Sequence, residues 1–313
     1  MLPLSMGMVG RKDMPMANNS NPNHRPLSVI TYLAANPTET FTLAEIARDL
    51  GLSKGSAHRV MAALTEAGFV YRHPRNKAYS LGLALVAIGS ATLERYAGIE
   101  IAKREMARLA RDFGLGCAAT AILNNEYILL AREGTPASVD GLALVGERRF
   151  VVPGIGIGQM AWRGQSDIDA YAASGGAYMT DSLRDRLLAS LPIIRRRGYA
   201  MAANGTGMRR LSYETLVPIG QVPDKPPTPA LEWIDDIPLE EFQMLEFAEA
   251  KGRGVNYLAA PVFSAEGEIV FEILISRLPV EMSQTEFEFY ETQLLNAADT
   301  ITRQIRGCRP QPW

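Results

Sequence analysis

The chain has 313 residues, of which 47% are hydrophobic and 21% charged, and its formal net charge is −2. This composition is that of an ordinary globular protein long enough for two domains. Its two cysteines, Cys117 and Cys308, lie far apart in the sequence and indicate no disulfide framework. The longest apolar stretch, Leu81 to Leu93, is too short and too interrupted by Gly and Ser to cross a membrane. It predicts a buried connecting helix.

The first segment, residues 1–22, is polar and contains proline, which predicts a disordered tail. It lacks the uninterrupted apolar core of a secretory signal peptide. With no membrane span predicted either, we expect a cytoplasmic protein without a membrane partner.

A helix-turn-helix pattern runs from Thr42 to Val70. Thr42 and Glu45 have the spacing of a capping box, which marks the start of a first helix. Gly51 ends that helix, because glycine adopts the open backbone of a tight turn at little cost. Ser53 can cap a second helix through its hydroxyl. Two short helices joined in this way are typical of a unit that places its second helix in the DNA major groove.

The second helix divides its residues between two faces. Its apolar positions recur at helical spacing and are predicted to pack inward; they are Ala57, Val60, Met61 and Leu64. Four polar residues near its N-terminus are predicted to face DNA; they are Lys54, Ser56, His58 and Arg59. Arg59 could donate two hydrogen bonds to guanine, whereas Lys54 and Ser56 would serve phosphates equally well.

A short hairpin with a turn at its centre is predicted from Tyr71 to Gly82. Such a wing lies along the DNA backbone or minor groove, where Arg75 and Lys77 would neutralise phosphates. Residues 53–80 contain five cations and one acid, a net charge of +4 within a chain whose total is −2. This concentration of positive charge favours double-stranded DNA as a partner.

A helix before this motif, Pro26 to Ala35, is predicted to supply Leu27, Ile30 and Leu33 to the same small core. Residues 23–82 therefore predict a winged helix-turn-helix domain.

A linker helix, residues 83–97, is predicted to lead into a second domain, residues 98–308. This domain opens with an amphipathic helix from Gly98 to Gly114. Short strands and helices follow, and a long helix from Ser283 to about Arg306 ends the pattern. Antiparallel strands with helices packed on them make the fold class α+β.

The histidine and cysteine inventory argues against catalysis in the second domain. All three histidines, His24, His58 and His73, precede it. Neither a Ser-His-Asp nor a Cys-His arrangement can be built there, and a Cys/His zinc site is excluded as well. We predict no catalytic residue, no metal and no cofactor.

Two other patterns favour plain interpretations. The paired acids Asp235–Asp236 and Glu240–Glu241 lie in a proline-rich segment and are predicted to be solvated. The run GIGIGQ, Gly154 to Gln159, lacks the third glycine of a phosphate-binding loop, which favours a turn that leads into a helix around Met160.

Several segments together resemble the IclR-type transcriptional regulators. They are RPLSVITYLAAN, TLAEIARDLGLSKGSAHRVMAALTEAGFV and the YSLG strand, then RRRGYA (Arg195 to Ala200) and LAAPVFSAEGEIVFEILIS (Leu258 to Ser276). The resemblance covers about Arg25 to Gly307. It implies a C-terminal GAF-like domain that binds a small-molecule effector, and a homodimer that often pairs further into a homotetramer.

The resemblance also locates the effector pocket. Regulators of this type carry an LPLHATALGKA-like segment whose backbone amides face an anionic effector at a helix N-terminus. Here Pro153 replaces the histidine and Gln159 the lysine. The effector-binding positions carried over are Gly156, Ile157, Gly158, Ala203, Pro261, Leu274 and Ser276. Because polar residues of the pattern are replaced, we expect a more apolar pocket than usual and an aromatic or apolar effector.

The segment 211–252 departs from the family pattern, which passes from RGYA to AAPVF through a much shorter connection. Its prolines predict an extended excursion, followed by a helix from Leu239 to Lys251. Its large apolar residues could cap the pocket, pack on the parent domain or form a subunit contact; they are Trp233, Phe242, Leu245 and Phe247.

The sequence thus predicts a DNA-binding transcriptional regulator, not an enzyme, whose effector alters operator binding. Dimerisation follows because one winged domain reads too few base pairs, whereas paired domains read symmetric half-sites. Two alternatives stay open. One is an enzyme that uses the C-terminal domain; the other is a ligand-free binding module, with DNA binding secondary.

Overall fold

The computed structural model of the protein describes residues 22–96, 98–134, 145–176, 179–217 and 237–310. The chain divides into two compact units; among the described residues, the first comprises residues 22–92 and Val217, and the second takes the rest from Leu93 onwards. The predicted tail, except for Pro22, and residues 218–236 of the predicted excursion lie outside the described residues. Among the helices described, none is both long and apolar enough to span a membrane.

The first unit follows the chain order that the sequence predicts. After a 3-10 turn at Pro22–His24, its elements are α1 Arg25–Ala34, α2 Leu43–Asp49, α3 Lys54–Glu66, β1 Val70–Arg72, β2 Tyr79–Leu81 and α4 Ala84–Arg95. The capping box at Thr42 is formed, because the Glu45 carboxylate accepts from the Thr42 amide at 2.7 Å. Gly51 has a φ of 61°, and the Ser53 hydroxyl accepts from the Ser56 amide at the start of α3.

A small core joins α1, α2, α3 and the hairpin. Leu33, Ile46, Leu50 and Met61 are each about 1% exposed or less. The prediction for Leu27 is wrong, since its side chain is 55% exposed. Val29, two residues further round the helix, takes the inward position instead.

The connecting helix α4 is exposed, which contradicts the prediction of a buried one. Leu83, just before α4, is 86% exposed, and Val86 and Ile88 on α4 are 63% and 50% exposed. The prediction equated apolar composition with burial, whereas burial also requires a surface to pack against.

The second unit is built on one antiparallel sheet. Its elements are α5 Gly98–Phe113, β3 Gly116–Leu123, β4 Glu126–Glu133, β5 Arg148–Phe150, α6 Ile157–Met160, α7 Gln165–Ser174, α8 Asp181–Arg197, β6 Ala200–Ala203, α9 Gly207–Glu214, α10 Leu239–Phe242, β7 Val255–Phe263, β8 Ile269–Ser276 and α11 Gln284–Gln304. The strand order is β5-β4-β3-β8-β7-β6, and every neighbouring pair is antiparallel.

The two faces of this sheet have different partners. Helices α5 and α11 bury one face, where Leu258, Ala260 and Val262 of β7 join the main core. Because side chains alternate along a strand, Tyr257 and Ala259 lie on the opposite face. The short helix α6 packs against β7 and β8, and α10 packs against β6.

The predicted helix from Leu239 to Lys251 is wrong in its length. Only α10 and a 3-10 turn at Phe247–Ala250 are helical there. Between them the backbone is extended, and the Met244 amide donates to the Met201 carbonyl at 2.8 Å. The Arg197 guanidinium donates to the Met244 and Leu245 carbonyls at 3.2 and 3.0 Å, so tertiary contacts replace helical hydrogen bonds.

Candidate nucleic-acid surface and ligand cavity

The outer side of α3 presents a cationic surface. Lys54, His58 and Arg59 are exposed, while Ala57 and Met61 are buried in the core below. This is the arrangement in which a helix can lie in a major groove with its N-terminal residues towards the base edges.

Ser56 does not belong to that surface, so its predicted orientation towards DNA is wrong. Its side chain is 4% exposed, and its hydroxyl accepts a hydrogen bond from Arg25 Nη1 at 2.9 Å. Ser56 lies next to the inward Ala57 on α3, so it faces α1. Its role in the structure is to join two helices.

The wing adds more exposed cations. Arg75 and Lys77 are exposed at its tip, where Lys77 has a φ of 58° and its ammonium donates to the Pro74 carbonyl at 2.7 Å. Two further exposed residues, Tyr71 and Arg72, lie on β1 of the same hairpin, next to the buried Val70.

A cavity lies in the second unit between the sheet, the turn before α6, and α9. Its lining residues are Tyr127, Arg149, Gly154, Ile155, Gly156, Ile157, Gly158, Ala200, Ser212, Tyr257, Ala259, Glu272 and Leu274. The space that the centre of a water-sized sphere can occupy is about 20 Å³. That is room for one or two water molecules.

A buried carboxyl forms the polar end of this cavity. Glu272 is 3% exposed, and its Oε1 accepts from Tyr127 Oη at 2.7 Å and from Thr120 Oγ1 at 3.3 Å. Its Oε2 is buried without a hydrogen-bond partner among the described residues. Burial raises the pKa of Glu272, opposed by the hydrogen bonds that it accepts. The neutral carboxyl is therefore favoured more than in a solvated glutamate.

A buried cation forms another part of the lining. Arg149 of β5 is 1% exposed. Its strand is held from both sides, since it pairs with β4 and Arg149 also forms a β-bridge with Leu216 just after α9. A guanidinium stays charged even when buried, so it offers donors to an anionic or carbonyl oxygen.

The turn before α6 has the conformation that the GIGIGQ segment predicts. Gly154 and Gly156 have φ values of 94° and 81°, and α6 follows directly. Gln159 does not reach into the cavity as a ligand would. Its side chain accepts from the Ile122 amide at 3.0 Å and donates to the Thr120 carbonyl at 3.1 Å, which ties α6 to β3.

The carried-over effector positions separate into two groups. Gly156, Ile157, Gly158 and Leu274 line the cavity. Ala203, Pro261 and Ser276 are not among its lining residues. Ala203 packs in the core on the other face of the sheet, and the buried Ser276 hydroxyl donates to the Gly116 carbonyl at 3.0 Å.

Polar side chains are well represented in this cavity, while the expectation of an effector pocket more apolar than those of relatives stays a prediction. Arg149, Glu272, Tyr127, Tyr257 and Ser212 all line the cavity. Glu272 was detectable, because it lies two residues before Leu274 and a strand has a period of two. Arg149 was not, because its place depends on pairing with distant segments.

One of the predicted solvated acids is also buried. Glu241 is 7% exposed and accepts from the Gly207 and Met208 amides at 3.0 and 3.2 Å. Asp235 and Asp236 lie outside the described residues. No group of three or more His, Cys, Asp or Glu side chains that could hold a metal ion occurs in the described part of the chain.

Comparison with known proteins gives these residues a context. Residues 24–74 match an IclR helix-turn-helix domain. The chain is 22% identical over 288 residues to the HTH-type transcriptional regulator XynR of Escherichia coli (strain K12), covering 90% of this chain and 95% of that protein. It is 35% identical over 118 residues to the glycerol operon regulatory protein of Streptomyces griseus, covering 37% of this chain and 44% of that protein.

Solved structures share the fold. An IclR transcriptional regulator from Alicyclobacillus acidocaldarius matches with a TM-score of 0.60 at 18% identity, over 91% of this chain and 98% of that chain. An IclR homolog from Microbacterium hydrocarbonoxydans, complexed with 4-hydroxybenzoate, matches with a TM-score of 0.61 at 17% identity, over 91% and 99% of the two chains. These relatives are transcriptional regulators, not enzymes.

Proposed function

We propose that this chain is an IclR-type DNA-binding transcriptional regulator and that its second unit binds a small-molecule effector which alters operator binding. The observation that carries the proposal is a cavity lined by both Arg149 and Glu272, two buried residues with ionisable side chains. Glu272 Oε2 is buried without a hydrogen-bond partner among the described residues, and such burial is unfavourable, which favours a ligand that donates a hydrogen bond to it.

The first unit is proposed to read the operator. Arg59 is the candidate for base contacts, because its exposed guanidinium lies near the N-terminal end of α3. Lys54, Arg75 and Lys77 are candidates for phosphate contacts, and His58 lies exposed beside Arg59. This regulator would act on double-stranded DNA in the cytoplasm.

The effector is proposed to be an aromatic acid that carries a hydroxyl group. Arg149 suits the carboxylate, and Ile155, Ile157 and Leu274 offer apolar surface to the ring. A hydroxyl suits Glu272 in either protonation state, because it both donates and accepts hydrogen bonds. The homolog from Microbacterium hydrocarbonoxydans is complexed with 4-hydroxybenzoate, which is an aromatic acid that carries a hydroxyl group. This proposal keeps the expected aromatic ring but adds two polar anchors.

Calorimetric titration of the full chain with 4-hydroxybenzoate, benzoate and glyoxylate tests the effector class. We expect 4-hydroxybenzoate to bind most tightly and glyoxylate most weakly, since only the first offers the ring, the carboxylate and the hydroxyl. Preferential binding of glyoxylate would contradict the proposal. Absence of binding by all aromatic acids would favour a ligand-free pocket.

Self-association is proposed to use the exposed side of α4. Val86 and Leu93 fall on one side of the helix at helical spacing and are 63% and 36% exposed, and Leu83, immediately before the helix, is 86% exposed. Exposed apolar stripes of this kind mark interaction sites, and a second copy of the same helix would supply a matching surface. A dimer formed there would present two copies of α3 to symmetric half-sites, and dimers could pair further into tetramers.

Sedimentation of the Val86→Glu variant tests this contact. We expect the variant to sediment as a smaller species than the wild type and to lose affinity for a two-half-site operator. The same substitution at Val280, another apolar residue with 64% exposure but outside α4, serves as the control. Unchanged sedimentation of Val86→Glu would place the subunit contact elsewhere.

The effector is proposed to act by shifting the population of arrangements in which two DNA-binding units match the half-site spacing. Such a shift requires only that the effector bind one arrangement more tightly than the other. The linker helix α4 is the covalent connection through which the shift would pass.

A further inference from the structure

The segment Ile237–Gln243, here called the clamp, occupies space left by glycines of the parent domain. A Cβ on Gly205 would lie 1.7 Å from the Glu241 carboxyl carbon, and one on Gly207 would lie 2.5 Å from Ile237. Neither glycine has a positive φ, so the backbone does not require glycine at these positions. The close approach of the clamp is therefore the reason that positions 205 and 207 need glycine, which has no side chain.

The clamp is fastened through Glu241. Its Oε2 accepts the two amide protons at the start of α9, and its Oε1 lies 3.7 Å from Arg253 Nη1. A carboxylate at a helix N-terminus satisfies donors that have no partner within the helix and is favoured by the helix dipole. The clamp thus contributes an anion to α9 from within the chain.

Both walls that the clamp touches belong to the cavity. Phe242 is 1% exposed and lies 2.7 Å from where a Gly154 Cβ would be, and Gly154 lines the cavity. Helix α9, which Glu241 holds, carries the lining residue Ser212 and leads to Leu216, the bridge partner of Arg149. One segment therefore fixes the position of the turn before α6 and of α9 together.

The cavity is too small for an aromatic ring while these walls stay in place. Its 20 Å³ compares with a cavity on the order of 150 Å³ that admits benzene. Entry of a ring therefore requires the lining to move apart, and the contacts of Glu241 and Phe242 oppose movement of the turn before α6 and of α9.

We propose that the clamp holds the effector site in a closed form and that effector binding requires its release. The proposal rests on the proposed function for the location of the site. Glu241 is then a positioning residue, and the apparent effector affinity is reduced by the small fraction of molecules whose clamp is open.

Weakening the clamp should therefore tighten effector binding. We expect Glu241→Ala to lower the apparent dissociation constant for 4-hydroxybenzoate by about three- to tenfold, since removal of a charge-assisted cap favours the open form. Gly205→Ala should have the same effect, because its new methyl group displaces the Glu241 carboxyl. In the double variant the two effects should not add, since both act on one contact.

Two variants serve as controls. Glu240→Ala removes the neighbouring acid of α10, and Gly164→Ala adds a methyl group where no atom lies within 4 Å. Both should leave the dissociation constant unchanged. Weaker or unchanged binding in Glu241→Ala and Gly205→Ala, with the fold retained, would overturn the proposal, because a residue that only organises the site weakens binding when removed.

Hydrogen exchange tests the proposal on the wild-type chain, without any variant. Saturation with 4-hydroxybenzoate should speed exchange of the Gly207 and Met208 amides, because Glu241 leaves them, while the cavity turn becomes more protected. Continued protection of both amides in the ligand-bound protein would contradict release of the clamp.

Hydrogen exchange also distinguishes failure of the proposed effector class from failure of the clamp proposal. If no aromatic acid binds, the effector class fails, yet Glu241→Ala should still speed exchange at Gly154–Gly158 as well as in α9 if the clamp closes the cavity. Faster exchange confined to α9 would show that Glu241 is only a helix cap and would overturn the clamp proposal.

Discussion

In the first unit, the candidate functional side chains are exposed and fall within one short stretch, Lys54 to Lys77, whereas the cavity collects buried residues from Tyr127 to Leu274. The cations of α3 and the wing are exposed to solvent, and phosphate or base oxygens that approach them would stabilise the complex. The cavity residues Arg149 and Glu272 are already removed from water. A surface site therefore leaves a local trace in sequence, while a buried site depends on long-range pairing.

The largest expected effect concerns DNA affinity. Arg59→Ala should weaken operator binding by about 1–3 kcal/mol, that is roughly 5- to 150-fold, and relax specificity at one base pair. Fluorescence anisotropy with DNA from the region upstream of the gene measures this. Arg111→Ala, which removes an exposed arginine of α5 in the second unit, is the control. Equal affinities of the Arg59 variant and the wild type would refute the proposed role of α3.

Next in size is the effect of the buried cation on effector binding. Arg149→Met should weaken 4-hydroxybenzoate binding by about tenfold or more, because the carboxylate loses its charged donor. The neighbouring Arg148→Met is the matched control, since Arg148 pairs with Glu126 at 2.9 Å and does not line the cavity. Circular dichroism checks that both variants fold. If both variants lose similar affinity for 4-hydroxybenzoate, Arg149 does not contact the ligand.

Stability should depend on pH through Glu272. Burial raises the pKa of the Glu272 carboxyl above its ordinary value of 4.5 in the folded chain. The contribution of Glu272 to stability therefore falls as the pH rises from 4.5 through the raised pKa. Glu272→Gln removes this dependence, so the free energy of unfolding of the variant should increase relative to that of the wild type as the pH rises. Urea unfolding over a pH series measures the gap.

The exposed Glu266 provides a control of opposite sign. The Ser264 hydroxyl lowers the pKa of Glu266, so its contribution to stability is lost as pH falls through the lowered pKa. A gap for Glu272→Gln that does not change with pH would contradict the buried, proton-holding state of Glu272.

The smallest effect separates two neighbours on α3. Ser56→Ala should reduce the stability of the first unit by about 1 kcal/mol, because the Arg25 guanidinium loses its acceptor, and should leave the salt dependence of DNA binding unchanged. Lys54→Ala should leave the stability unchanged and should lower, by about one, the slope of log affinity for DNA against log salt concentration. If Ser56→Ala changes the salt slope as Lys54→Ala does, Ser56 contacts phosphate after all.

Local signals account for what could be predicted. The capping box of Thr42, the turn at Gly51 and the inward face of α3 each depend on residues within one or two turns of helix. The helix around Met160 was also predictable, since the glycine-rich run GIGIGQ indicates a turn that leads into it, and Gly154 and Gly156 take positive φ values there. Ser56 was misplaced because a polar residue was assumed to face solvent.

Long-range contacts account for the rest. Arg149 takes its place because Leu216 bridges to it, and Glu241 is buried because α9 offers two free amides. The helix predicted after Leu239 stops because Arg197 and Met201 bind the backbone that would continue it. Periodicity cannot reveal any of these partners.

Occupation of the cavity is proposed to change the affinity of the first unit for DNA. Operator binding by the full chain, measured by anisotropy with and without saturating 4-hydroxybenzoate, tests it most directly. Coupling of about 1–3 kcal/mol predicts a change in operator affinity of roughly 5- to 150-fold. An effector that binds by calorimetry yet leaves operator affinity unchanged would contradict the account.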